Sequence, residues 1–120
     1  MKKCLDTYAL VEIAKANPSY AIYITQDFVI ADLTLAEFYA VLLREEGELS
    51  AEEWFTKLEA YAMPVSREIL KDAVRFRYAH RKQRISFFDA AGYQYAQRNA
   101  MMFVTGDKEF EKMEGVEFLK

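Results

Sequence analysis

Met101-Met102-Phe103-Val104-Thr105-Gly106-Asp107-Lys108-Glu109-Phe110 is the stretch on which the reading of this chain turns. The β-favouring run over 101–105 predicts a strand, Gly106 a turn, and 108–112 a helical turn. An acid, Asp107, stands directly behind the strand. A last strand is expected over 116–119.

Upstream, the same alternation recurs. Residues 2–5 read as a short strand ending at Asp6, followed by a helix over 7–16 that Asn17-Pro18 closes. A short second helix is expected over 18–26 and a strand over 28–31. Residues 34–46 are strongly helical, with Leu35, Phe38, Val41 and Leu42 on one face and Gly47 at the end. Ser50 and Glu53 have the spacing of a capping box for a helix reaching about residue 60. Residues 63–65 predict a break or a short edge strand. Ser66 caps a long helix to about residue 83, and another helix spans 86–99. Strands alternating with helices predict an α/β fold, three layers α/β/α with a mostly parallel central sheet. With no linker or internal repeat, one domain is expected over 1–120. In such sheets ligands bind beyond the carboxyl ends of the strands, where strand order reverses. Asp6 and Asp107 are therefore expected at one edge of the sheet.

Composition removes several alternatives. Apolar residues make up 52% and charged residues 29%, a globular profile rather than a disordered one. No apolar run is long enough for a transmembrane helix, and the N-terminal residues lack the apolar stretch of a signal peptide, so a cytoplasmic protein without a membrane partner is expected. Cys4 is the only cysteine, read as a buried strand residue, and no internal disulfide is possible. His80 is the only histidine, which excludes a Cys/His zinc site. No recognisable Ser or Cys nucleophile motif accompanies it, which disfavours a histidine-based hydrolase.

Four acids call for weighing: Asp6, Glu37, Asp89 and Asp107. Each has a structural explanation. Asp6 is placed to cap the first helix, Thr34 and Glu37 have capping-box spacing, Ser86 and Asp89 the same, and Asp107 would cap the turn after Gly106. Together they invite a second reading. All four would sit at helix N-termini, which favour carboxylate anions. Several ionised carboxylates crowded together need a cation, and oxygen ligands suit Mg²⁺ or Mn²⁺. Such an ion supports phosphodiester cleavage without histidine. Spacing alone leaves open whether the four converge.

Cys4-Leu5-Asp6-Thr7, Asp32-Leu33-Thr34-Leu35-Ala36-Glu37, Ser86-Phe87-Phe88-Asp89-Ala90-Ala91-Gly92 and Phe103-Val104-Thr105-Gly106-Asp107-Lys108-Glu109-Phe110, in this order and closed by Gly115-Val116-Glu117-Phe118, resemble the PIN-domain family, especially its archaeal and bacterial VapC-like branch. The resemblance spans essentially the whole chain. It implies that Asp6, Glu37, Asp89 and Asp107 bind Mg²⁺ or Mn²⁺ and that Thr105 supports the site through a hydrogen bond. It implies an endoribonuclease acting on an RNA substrate, leaving a 5′-phosphate and a 3′-hydroxyl. It also implies a homodimer, often the toxin of a toxin–antitoxin pair silenced by a small antitoxin protein. A housekeeping RNA-processing nuclease and a non-catalytic protein-interaction module are the alternatives; the latter would tolerate loss of the acids, and all are present.

The net charge of −3 hides an uneven distribution. Residues 67–84 carry seven Lys/Arg against two acids, while the remainder holds nine basic against seventeen acidic residues. On a helix at about 100° per residue, Arg67, Lys71, Arg75 and Lys82 fall within roughly an 80° stripe. Arg77, Arg81 and Arg84 form a neighbouring one, and Ile69, Ala73 and Phe76 mark the buried face. Such a stripe would attract RNA phosphates, or it is simply a solvated face. Among the aromatic residues Phe38, Tyr39, Trp54, Phe55 and Tyr61, most are expected in the core, with some lining a dimer or antitoxin groove.

Overall fold

Three short strands carry side chains that are apolar on both faces, the pattern of a sheet covered on both sides. In the computed structural model, which describes residues 2–120, they are β1 (Lys3–Leu5), β2 (Phe28–Ala31) and β4 (Met102–Thr105). Two further strands, β3 (Ala62–Met63) and β5 (Val116–Phe118), extend the sheet at its edges. The order is β3-β2-β1-β4-β5, and every neighbouring pair is parallel. The sheet expected to be mostly parallel is wholly so.

The helices are α1 (Thr7–Ala14), α2 (Pro18–Ala21), α3 (Asp32–Glu45), α4 (Glu48–Leu58), α5 (Arg67–Ala79) and α6 (Phe87–Arg98). The two-residue alternation of each strand divides the core. Cys4, Val29, Ala31 and Phe103 pack with Ile69 and Ala73 of α5 and Ala90, Ala91 and Tyr93 of α6. Leu5, Phe28, Ile30 and Val104 pack on the other face with Leu10 of α1, Leu35, Phe38 and Leu42 of α3, and Ala51 and Leu58 of α4. The result is the expected three-layer α/β/α arrangement. Cys4 is buried as anticipated, and burial pushes its thiol up to about 12, with the nearby Asp6 charge adding to the effect. Among the described residues no helix is long and apolar enough to cross a membrane.

Several boundaries differ from expectation. Helix α3 begins at Asp32, directly behind β2, so Thr34 is a buried helical residue and not the cap of a Thr34–Glu37 box. Its C-terminus is closed by Leu42, whose carbonyl accepts from the N–H groups of both Glu46 (2.8 Å) and Gly47 (2.9 Å). Gly47, at φ 101°, supplies the left-handed residue that this closure requires and then opens α4. Ser50 consequently lies inside the first turn of α4 and bonds Glu46 instead of capping. Ser66 and Ser86 do cap α5 and α6, accepting from Ile69 N–H (3.2 Å) and Asp89 N–H (3.0 Å). Helix α5 stops at Ala79, four residues early, because Ile85 must turn inward to join the core beneath α6.

Candidate active site

The strand order places β1 in the middle: from it the chain moves outward through β2 to β3, then returns to β4 on its other side. The reversal lies between β1 and β4, where Leu5 is in register with Val104. Their carboxyl ends open a crevice, and the next residues are Asp6 on one side and Gly106-Asp107 on the other. Asp6 N–H donates to Val104 O at 3.2 Å, tying the two strand ends together.

Asp6 is only 1% exposed. Its Oδ1 accepts from Ala9 N–H at 2.9 Å, the cap foreseen for α1. Its Oδ2 is buried with no hydrogen-bond partner. Burial first, then the charges of Asp89 and Asp107, holds this carboxyl well above the ordinary range, against the opposing influence of the Thr105 hydroxyl and Ala9 N–H. Asp107 caps the 3-10 turn at Lys108–Phe110, accepting from Glu109 N–H at 3.0 Å, while its own N–H donates to the hydroxyl of the buried Thr105 at 3.0 Å. Gly106 between them admits no side chain. A Cβ there would stand 2.2 Å from the Tyr8 ring and 2.6 Å from Leu119 O.

The other two acids arrive from the two helical layers. Glu37, on the second turn of α3, accepts a hydrogen bond from the Thr7 hydroxyl. Asp89 sits in the first turn of α6. Burial, with the charges of Glu37 and Asp107 adding to it, raises its carboxyl from 3.8 to about 7 despite the Ser86 hydroxyl.

Asp6, Glu37, Asp89 and Asp107 thus line one cleft of about 400 Å³, with Thr7, Tyr8, Lys108 and Lys120 among its walls. Among the described residues no three His, Cys, Asp or Glu side chains stand close enough to form a ready metal cage. The acids surround an opening rather than a point. Thr105 lies beneath, contributing its hydroxyl to Asp107. Thr7 and the two lysines escaped the sequence reading. Thr7 follows Asp6 directly, but its partner Glu37 is thirty positions away and only the fold reveals it.

His80 takes no part in the cleft. It ends α5, its ring nitrogen Nδ1 meets Phe76 O at 2.9 Å, and its ring lies 4.2 Å from that of Phe76. Of the basic stripe, Arg67, Lys71 and Arg75 are exposed on α5. Lys82 lies beyond the helix end, so the single stripe expected from the spacing is broken there. A separate hollow of about 270 Å³ is apolar, walled by Leu10, Ile13, Ile24, Trp54, Leu58 and Tyr61.

The PIN domain family model matches residues 3–116. Comparison with curated proteins gave no match. Among solved structures, the chain is similar in fold to the Mycobacterium tuberculosis toxin VapC20, described as cleaving the sarcin-ricin loop (TM-score 0.78, 14% identity, covering 98% of this chain and 99% of that one). It is similar to a chain of a toxin–antitoxin complex from Klebsiella pneumoniae (TM-score 0.74, 17% identity, covering 96% and 95%). It is also similar to a chain of VapBC2 from Rickettsia felis, bound to a DNA fragment from their promoter (TM-score 0.74, 18% identity, covering 99% and 98%).

Proposed function

The chain belongs to the PIN domain family, and we propose that it is a divalent-metal-dependent endoribonuclease of the VapC toxin kind, restrained by a small antitoxin. The observation that carries this reading is the Asp6 carboxylate. It is buried at the crevice between β1 and β4, keeps Oδ2 without a partner, and shares its cleft with three further acids. A buried, unpartnered carboxylate oxygen is costly unless something charged satisfies it. The residues fit a hard cation. The donors are all oxygen, and Mg²⁺ keeps several waters and uses few protein carboxylates, so an open ring of acids suits it better than a closed cage.

In this reading Asp6, Glu37, Asp89 and Asp107 hold Mg²⁺ or Mn²⁺. When bound, the ion polarises the phosphoryl group and makes water a better nucleophile at neutral pH. The chain's own residues set the stage. Thr7 fixes the Glu37 carboxylate, and Thr105 fixes the backbone behind Asp107. Lys108 and Lys120, both exposed at the cleft wall, attract the phosphate backbone toward an otherwise acidic opening. The apolar hollow that includes Trp54 and Tyr61 suits an amphipathic segment of the antitoxin, in keeping with the aromatic excess in the sequence. A homodimer is the assembly proposed, to be checked by light scattering.

Purified protein is offered a mixed RNA pool with Mg²⁺ or Mn²⁺, beside EDTA and an Asp6→Asn control. Metal-dependent cutting that the variant lacks is the expected result. Cutting that persists in EDTA or in the variant would overturn the assignment, as would failure of the folded, antitoxin-free protein to bind either ion.

A further inference from the structure

Beyond the end of α5 the chain makes a turn that carries the last residues of the basic segment seen in the sequence. It runs His80-Arg81-Lys82-Gln83-Arg84. The turn is held in place rather than dangling. Gln83 N–H donates to His80 O at 2.8 Å, Arg77 Nε donates to Ile85 O at 3.0 Å, and Ile85 is buried in the core. Gln83 Nε2 reaches Glu109 O and Oε1, both at 3.2 Å, which docks the turn against the segment that follows Asp107. A hollow of about 310 Å³ lies between the two, walled by His80, Gln83, Lys108 and Lys112 among others. Lys108 belongs to this hollow and to the acidic cleft alike, so the two depressions adjoin.

The cations here are not spent on ion pairs. Among the described residues Arg81, Lys82, Arg84 and Lys108 form none, and all four are exposed. Of the acids nearby, Glu109 is engaged by Gln83, leaving Glu111 on the opposite wall. At the head of the turn Tyr78 is 68% exposed. Its carbonyl accepts from Arg81 Nη1 at 2.9 Å, and the Arg81 guanidinium lies 4.5 Å from the ring centroid. The guanidinium covers one face of the ring and leaves the remainder exposed. An aromatic ring with one free face, followed by cations without ion-pair partners beside an acidic cleft, is the chemistry that recognises unpaired bases and their phosphates.

We propose that Tyr78 and the 80–84 turn form a binding site for single-stranded RNA, with a base stacked on Tyr78 and the flanking phosphates on Arg81 and Lys82, leading through Lys108 into the acidic cleft. This deepens the nuclease reading and rests on it for the direction in which the strand runs; the binding itself needs neither metal nor cleavage. The site selects unpaired strands, because a duplex offers no free base face to Tyr78.

The test is fluorescence anisotropy of a short unstructured RNA oligonucleotide in EDTA, with Tyr78→Ala, Tyr78→Phe, Arg81→Ala/Lys82→Ala and, on the opposite layer, Lys15→Ala. Tyr78→Ala is expected to weaken binding about tenfold and Tyr78→Phe to keep it, since stacking needs only the ring. The double variant is expected to weaken binding and to flatten its salt dependence by about 0.7 per cation removed. Lys15→Ala is expected to bind as the parent protein does. All four sites are exposed, and circular dichroism checks that each variant folds. Unchanged affinity in both Tyr78→Ala and the double variant would overturn the site, as would equal binding of duplex and single-stranded RNA. The two readings fail separately. Binding lost in these variants, in a protein that never cuts RNA, keeps the site and sinks the nuclease. Metal-dependent cutting that proceeds equally in all variants, with equal binding, does the reverse.

Discussion

Replacing Asp89 by Asn is expected to stabilise the metal-free protein at alkaline pH while abolishing its response to divalent cations. The Asp89 carboxyl titrates at about 7 in the fold against an ordinary value of 3.8, for the reasons of burial and neighbouring acids given above. Between those values the folded chain holds a proton that the unfolded chain has released. Stability therefore falls as pH rises through the window, and the loss is complete above it. At about 1.4 kcal/mol per pH unit the gap amounts to at most about 4 kcal/mol. Asp89 is half-buried against an open cleft, and screening there reduces the expected effect to about 2 kcal/mol. Asp6 moves in the same direction, and part of its shift is due to the Asp89 charge, so the substitution relieves both. The amide keeps the shape and leaves the Ser86 cap to the backbone N–H intact. Urea unfolding in EDTA across the range above pH 5 measures this directly. Glu117 does not confuse the result. Burial alone would raise its carboxyl, but Lys3 and Tyr23 hold it below 4.5, so its contribution is already complete at the start of that range. Saturating Mg²⁺ should then restore the parent protein by about 3 kcal/mol at a hundredfold excess over the dissociation constant, and leave the variant nearly unmoved. A parent protein equally stable at both ends of the range, or a variant less stable than the parent at the alkaline end, would refute the reasoning.

Thr7→Val frees the Glu37 carboxylate and is expected to weaken Mg²⁺ binding about tenfold, by calorimetric titration, with the fold unchanged. Gly106→Ala forces a methyl group into the Tyr8 ring and Leu119 O and should cost about 1–3 kcal/mol in urea unfolding. Ala100, exposed at φ 54° behind α6, occupies the left-handed position where glycine is favoured, since Met101 N–H closes the helix on Ala96 O at 2.9 Å. Ala100→Gly should therefore raise stability by about 1 kcal/mol. Cys4 should resist thiol reagents until the protein unfolds, because its sulfur is buried and its thiol held up to about 12.

The readable part of this fold was the part governed by short-range rules. The strands stand out as brief apolar runs, and the rule for ligand sites in parallel sheets by itself puts Asp6 and Asp107 at one edge. Glu37 and Asp89 are candidates by residue type and position, but that they share an opening with Asp6 and Asp107 is legible only through the family resemblance, since nothing in their spacing brings α3 and α6 together. Capping signals misled twice for one reason: Thr34–Glu37 and Ser50–Glu53 satisfy an i, i+3 pattern that recurs inside helices as well as at their starts. The backbone had already turned helical at Asp32 and Glu48, because β2 ends at Ala31 and Gly47 ends α3. The basic stripe extended too far because helical periodicity carries no information about when a later residue, here Ile85, must leave the surface for the core. The pairing of Thr7 with Glu37 and the docking of Gln83 on Glu109 are long-range contacts, invisible to any local pattern.

The edges of the sheet have a consequence for how the molecule behaves in a crowded solution. On one side it ends in β3, a pair of residues followed at once by Pro64; on the other it ends in β5, three residues long with Glu117 at its centre. Neither margin offers a second chain a ladder of more than two or three free backbone groups, and one is cut short by a residue that has no N–H to give. A wholly parallel sheet forms slowly, since each strand must wait for a helix to return it to its neighbour. Such margins leave few chances for intermolecular strand pairing while that happens, and concentrated refolding should remain free of β-rich aggregate.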